Sequence, residues 1–289
     1  MILKSEFIEI SDELFLKLGK MITDRYGINM PIDKKIMFQA RLQRRLRELE
    51  IYSFDEYASK LLSDNGKSPE FDLLPDFIST NKTEFFREKG HFDYISDQIL
   101  PEFMKNAAST QLHQLNIWSS GCSSGQEAYS IAVTMEEFMR LKGFRFGYSV
   151  IATDISGRML KELREAIYPM AQISEIPMEI RHRYFLKSKN MIEPKVRVIK
   201  EIRNNVKLAY LNLMDNSYSF NTSFDIIFLR NTLIYFSSEV QKKVLTKVLE
   251  NLKEGGYLFI GHSESLINMD LPIHSIAPSV YIKTKINRK

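Results

Sequence analysis

The 289-residue chain has one cysteine, one tryptophan and almost no imbalance of charge, and these scarcities exclude several classes of protein. A single thiol, Cys122, rules out an intrachain disulfide and makes the reducing cytosol the expected compartment. Forty basic residues against 36 acidic ones leave a formal charge of +4, too small a surplus to demand a nucleic-acid partner, and none is expected. No run approaches the roughly 20 apolar residues of a membrane span. The opening MILKSEFIEISDELF carries acids inside its apolar stretch and has no cleavage signature, so neither anchor nor signal peptide is expected. The five histidines, His91, His113, His182, His262 and His274, lie too far apart in sequence to suggest a local metal site. No metal is expected, and only a site assembled from distant segments stays open. What is present is 44% hydrophobic content, enough for a sizeable core in one large domain or one with a small companion.

Residues 1 to about 95 read as helical throughout. In DKKIMFQARLQRRLREL, Phe38, Leu42, Leu46 and Leu49 share one stripe while Lys34, Arg41, Arg44 and Arg45 form a basic flank beside it. Ser53 and Glu56 predict a capping box for the helix that follows. From about residue 114 short apolar runs alternate with helical patterns, which predicts an open α/β sheet. The runs are LNIWSS, YSVIAT, NVKLAYLNL, FDIIFL and GYLFIGH, with SVYIKTK expected beside the last. Ala128, Ile131, Ala132, Met135, Phe138 and Met139 predict a helix over 125–140. Residues 169–204 are charged and interrupted, and predict a surface insert before the third strand.

The stretch from Ser119 to Gly125 is almost all small residues between a strand and a helix. That composition lets backbone approach a ligand at the carboxyl edge of a parallel sheet, facing the free N–H groups of the helix's first turn. The alternative is a tight turn with no cofactor. The stretch lacks the Lys-Ser or Lys-Thr of a nucleotide P-loop and fails G-x-G-x-x-G. Glu127 in the first helical turn suits a ligand ammonium group. Asp154 ends the next strand where an acid grips ribose hydroxyls, or else merely caps the helix after it. An amino acid joined to a nucleoside uses both carboxylates, and S-adenosylmethionine is such a molecule.

Five motifs then resemble the chemotaxis-receptor methyltransferases of the glutamate O-methyltransferase type: NKTEFFRE at 81–88, WSSGCSSGQEAYSIA at 118–132, ATDIS at 152–156, FDIIFLRNTLIYF at 224–236 and GGYLFIGHSESL at 255–266. RLQRRLRELEIYSFDEY and PSVYIK extend the likeness over nearly the whole chain. The resemblance implies an α/β fold, a Rossmann-like S-adenosylmethionine-dependent methyltransferase sheet with a small all-helical N-terminal domain and an inserted small β subdomain. The implied domains are 1–87, a linker helix over 88–108, and 109–289 with the insert at about 169–204. By resemblance Asn81, Thr83, Arg87, Glu127, Asp154, Asn212, Leu213, Arg230 and Asn231 hold S-adenosylmethionine, and Arg87 and Tyr235 are catalytic through positioning. The resemblance implies no metal.

The implied reaction moves a methyl group to a glutamate carboxylate, giving a γ-methyl ester. A glutamate with a pKa of about 4.3 is ionised near neutral pH, so no strong base is required. The implied partner is the cytoplasmic helical region of methyl-accepting chemotaxis receptors, met by Arg41, Arg44 and Arg45 on a helix placed away from the pocket. A cytoplasmic monomer recruited to receptor arrays, without membrane insertion, is expected. Two departures stand out. Gln126 replaces an acid beside Glu127, which removes one charge near the site. The insert FLKSKNMIEPKVRV lacks the glycine-rich hairpin of members that dock a receptor's C-terminal peptide, so such tethering is not expected. The competing readings are a non-catalytic S-adenosylmethionine sensor or scaffold, and a methyltransferase with another substrate.

Overall fold

The computed structural model describes residues 7–63, 68–109, 114–190, 192–267 and 269–284. Residues 1–6 of the opening stretch, His113, Met191 of the insert and the end of SVYIKTK lie outside the described residues.

Among the described residues, four α-helices form the N-terminal unit: α1 (Asp12–Tyr26), α2 (Lys35–Glu48), α3 (Phe54–Leu61) and α4 (Pro69–Ile78). Ser11 and Ser53 each accept a first-turn N–H with the side-chain oxygen, and the Glu56 N–H is the donor at Ser53, as the capping pattern predicts. Phe38, Leu42 and Leu46 are fully buried against Phe15, Phe54 and Leu74, so the apolar stripe of α2 is this unit's own core. Helix does not continue to residue 95. Residues 79–89 run as extended chain and turns, and Asn81 and Thr83 cap nothing. Phe86 and Glu88 have φ of 55° and 57°, left-handed backbone that breaks helical hydrogen bonding.

A continuous helical rod follows: α5 (Gly90–Tyr94), one π turn (Ile95–Ile99) and α6 (Leu100–Ser109). It is not a free linker. Phe92, Ile95, Ile99 and Leu100 are buried in the same core as the sheet, because the segment's apolar face packs on it.

The main sheet has seven strands in the order β6-β2-β1-β7-β8-β10-β9. They are β1 (Gln114–Ser120), β2 (Gly147–Asp154), β6 (Val206–Tyr210), β7 (Phe224–Leu229), β8 (Leu252–Ile260), β9 (Ile273–Ala277) and β10 (Val280–Lys283). The first five are parallel; β10 pairs antiparallel with β8 and β9 with β10. β9 is the strand the sequence concealed, since its half-exposed IHSIA has no apolar run. α7 (Gln126–Lys142), α8 (Gly157–Glu165) and α11 (Ser238–Glu250) cover the faces. The insert is a separate three-stranded antiparallel sheet, β3 (Ile167–Pro169), β5 (Lys195–Val198) and β4 (Phe185–Lys187), with α9 (Met178–Tyr184) between its strands. α10 (Lys200–Asn204) leads back to β6. No helix among the described residues is long and apolar enough to cross a membrane.

Strand order reverses at β1: the chain goes to β2 and β6 on one side and to β7 and β8 on the other. The crevice beyond the carboxyl ends of β1, β2 and β7 is where open α/β sheets take ligands. The N-terminal unit lies over that edge. Asp76 of α4 accepts from the Ser156 hydroxyl at 2.6 Å, and Asn29 donates to the Tyr235 carbonyl at 3.0 Å.

Candidate functional site

Beneath that lid is a cavity of about 320 Å³ whose wall contains Asn81, Thr83, Arg87, Glu127, Asp154, Asn212, Leu213, Arg230, Asn231 and Tyr235. The fold thus brings together ten residues from five separated segments.

The turn after β1 forms one wall, and its glycines answer to the protein itself. Gly121 and Gly125 have φ of 69° and 96°. A Cβ at Gly121 would meet the Thr232 hydroxyl at 2.5 Å, and one at Gly125 would meet Leu163 at 2.6 Å. Left-handed backbone and close neighbours require glycine at both positions. Ser120, Gly121, Cys122 and Ser123 do line the cavity.

Glu127 points inward from the first turn of α7. Its carboxylate accepts from the Ser119 hydroxyl at 2.7 Å and lies 3.6 Å from Arg230 Nε. Burial pushes its pKa up, against the opposing pull of Arg230. Asp154, at the end of β2, accepts from the Ser123 N–H at 2.7 Å and the Ser156 N–H at 2.9 Å. Burial raises its pKa, and these backbone donors counter the rise. Asp154 therefore knots strand to turn and caps no helix by itself, since the side-chain cap of α8 is Ser156. A carboxylate has about four acceptor positions, so capacity for ligand hydroxyls is left.

Arg230 is the wall's central cation, its side chain 1% exposed. The guanidinium lies 5.7 Å from the Phe92 and Phe228 ring centroids, 3.2 Å from Glu88, and donates to the Arg87 carbonyl at 2.5 Å. Its Nε and Nη1 have no hydrogen-bond partner, and neither has the buried Ser120 hydroxyl on the same wall. Arg87 reaches the cavity from a turn closed by its own Nη1 donating to the Lys82 carbonyl at 3.2 Å. Tyr235 ends a short 3-10 turn, Leu233–Tyr235, and lines the same cavity.

Asn212 is engaged inside the protein. Its amide donates to the Arg25 carbonyl at 2.9 Å and accepts from the Met214 N–H at 3.0 Å, tying the end of β6 to α1. The Leu213 carbonyl accepts from Tyr218 and Lys247, both at 2.8 Å.

Glu264 was missed. Its carboxylate accepts from the N–H groups of Gly261 at 2.6 Å, Leu233 at 2.7 Å and Asn231 at 2.9 Å. Burial pushes its pKa up, and those donors pull it back. It fixes the loop that carries Arg230 and Tyr235, with Asn231 held at φ 55°. The available signal was an acid in GHSESL just past the carboxyl end of β8.

The basic flank of α2 is not uniform. Arg45 forms a two-pronged pair with buried Glu70, at 2.8 and 2.6 Å. Arg41 donates to the Ile78 carbonyl and to Thr80, and burial lowers its pKa. Only Arg44 stands well out, 82% exposed beside Glu48. Nor is the helix remote from the pocket: Lys34, just before it, and Met37 on its first turn line the cavity. Gln126 faces the other way. It is buried, accepts from Ser124 at 2.9 Å, donates to Gln172 of the insert at 3.1 Å, and is absent from the cavity wall.

Two family models match nearly the whole length: the CheR methyltransferase all-alpha domain over 13–79 and the CheR methyltransferase SAM binding domain over 81–281. The boundary between them falls where α4 ends. The chemotaxis protein methyltransferase of Borreliella burgdorferi is 36% identical over 277 residues, 96% of either chain. That of Escherichia coli is 33% identical over 281 residues, covering 97% of this chain and 94% of the relative. A catalytic-type cavity at a sheet switch point, both family domains in order and relatives matched end to end lead to one conclusion: the chain belongs to the CheR methyltransferase family and is an S-adenosylmethionine-dependent chemotaxis methyltransferase.

Proposed function

We propose that the protein methylates glutamate side chains in the helical cytoplasmic region of chemotaxis receptors, forming γ-methyl esters. The observation that carries this reading is the convergence of Arg87 and Tyr235 with the two buried acids, Glu127 and Asp154, around one cavity. S-adenosylmethionine supplies an electrophilic sulfonium methyl group when bound. The wall suits it: Glu127 offers a carboxylate to an ammonium group, Asp154 has acceptor capacity for ribose hydroxyls, and Ser120 and Arg230 keep unpartnered polar atoms beside them.

Arg87 holds one oxygen of the acceptor carboxylate by a charge-assisted bond, leaving the other free as nucleophile. Tyr235, whose hydroxyl bonds none of the described residues, orients the acceptor from the opposite side. No general base is required, because the acceptor is already ionised. Charges cancel as the group moves, so the exclusion of water by α2 and the 79–89 segment favours the reaction. Lys34 at the rim and exposed Arg44 give an acidic receptor helix two cations to meet.

Receptor-bearing membranes incubated with labelled cofactor test the substrate. Label released by mild alkali is expected, and alkali-stable label would overturn the ester. Arg87→Ala and Tyr235→Phe are each expected to lower turnover more than they weaken cofactor binding by calorimetry. Equal losses in both would remove their assignment.

A further inference from the structure

Behind the cavity wall the fold assembles a second group of ligand-type side chains. Glu88 closes the 79–89 segment, His91 opens α5, and His262 lies in the loop after β8. One carboxylate oxygen and one nitrogen from each imidazole lie within 4.8 Å of one another. His91 is 2% exposed and its ring packs edge-on against Phe259 at 5.3 Å. Neither of its nitrogens has a hydrogen-bond partner. A buried polar atom left unpaired costs about 1–3 kcal/mol, and such atoms are rare enough in native proteins to require a reason. Glu88 Oε2 is 3.5 Å from His91 Nδ1 and also makes no hydrogen bond. The His262 ring centroid is 5.0 Å from that of His91, and His262 is exposed, which gives the group an opening to solvent.

We propose that Glu88, His91 and His262 bind a zinc-class divalent cation. Two imidazoles and one carboxylate are a ligand set that zinc takes in four-coordinate sites with a water in the remaining position. Zinc holds nitrogen and oxygen at roughly 2.0–2.2 Å. The exposed His262 can swing inward to close the remaining gap, while buried His91 and half-buried Glu88 stay in place.

The same carboxylate ties this site to the cofactor cavity. Glu88 pairs with Arg230 at 3.2 Å and accepts from Asn231 at 3.3 Å, and Arg230 faces Glu127 on the cavity wall. A cation on Glu88 Oε2 competes with Arg230 for that oxygen and repels its charge. Cation and cofactor therefore weaken each other's binding by the same factor.

The test is zinc titration of tag-free protein against a chromogenic chelator. One equivalent is expected to bind, and His262→Ala is expected to weaken it at least ~10-fold, since even ligand-orienting groups are worth that much. His182→Ala, an exposed histidine far along the chain, controls for surface imidazole. His262→Ala retains the backbone N–H that donates to Glu88, so its fold is expected to persist and circular dichroism checks it. Absence of saturable binding, or a loss under tenfold, overturns the site. Calorimetry with S-adenosylhomocysteine tests the coupling. Saturating zinc is expected to weaken binding at least ~5-fold in the parent protein but not in His262→Ala; unchanged affinity in the parent overturns it.

Discussion

In the proposed function Glu127 offers its charge to a ligand ammonium group from a site where burial resists that charge, so pH separates its two effects. With its pKa raised, affinity for the cofactor falls on acidification from a higher pH than an ordinary carboxylate would set. In the ligand-free protein the sign reverses. A raised pKa contributes stability that is present at low pH and lost as pH rises through the folded value. Calorimetric affinity for S-adenosylhomocysteine across the acid range is expected to show the fall, and Glu127→Gln to flatten it while lowering affinity ~10-fold or more, as befits a hydrogen bond to a charged group. Glu264 acts one step further back. Glu264→Gln turns an amide N–H toward backbone donors, and is expected to cost about 1–3 kcal/mol in unfolding free energy and to lower turnover as Tyr235 loses its mounting. Gln126 shows the opposite case: being off the cavity wall, Gln126→Glu is expected to leave cofactor affinity unchanged in the same calorimetric assay.

At the scale of elements, α2 divides its arginines between structure and surface. Arg45→Ala strands Glu70, which is 5% exposed and also hydrogen-bonded to Tyr57, and is expected to destabilise the N-terminal unit by about 3–5 kcal/mol in denaturant unfolding. Arg44→Glu, on a solvated face, is expected to change stability by less than ~1 kcal/mol. It is therefore the clean probe of receptor contact, through a methylation rate that loses its salt dependence. The periodicity of α2 reveals which face is apolar, but the sequence is silent on which basic neighbour meets a buried acid 25 residues away. The 79–89 segment was hidden for a related reason. NKTEFFRE has helix-compatible residues, and only contacts such as Phe85 edge-on to Tyr168 and Phe185, and the Phe86 N–H on Ser130, hold it in left-handed turns. Ser123 and Asn231, which line the cavity, and Phe86 and Glu88, which flank cavity-lining Arg87, have positive φ without being glycine. Such strain, of order 1–3 kcal/mol each, persists only where surrounding packing enforces it.

For the whole molecule, the lid and the sheet share the site, so ligand binding and docking of the N-terminal unit are linked. Asp76 takes hydrogen bonds from Ser156, Arg158 and the Arg158 N–H across that junction. The Arg158 guanidinium bond goes to the Asp76 carbonyl, so Asp76→Ala removes the other two. It is expected to weaken S-adenosylhomocysteine binding without touching the cavity wall, and to reduce the ligand-induced rise in melting temperature, which follows affinity by mass action. The sequence by itself determined the helical unit, the apolar parallel strands and the acids at 127 and 154, because hydrophobic period and capping chemistry are local properties of the chain. The motifs added the family resemblance. Tertiary structure alone decided that Arg45 is internal, that Glu264 anchors the loop of Tyr235, and that Glu88, His91 and His262 meet. Each of those facts is a contact between segments distant along the chain, and such contacts exist only once strand order and packing have set the distances.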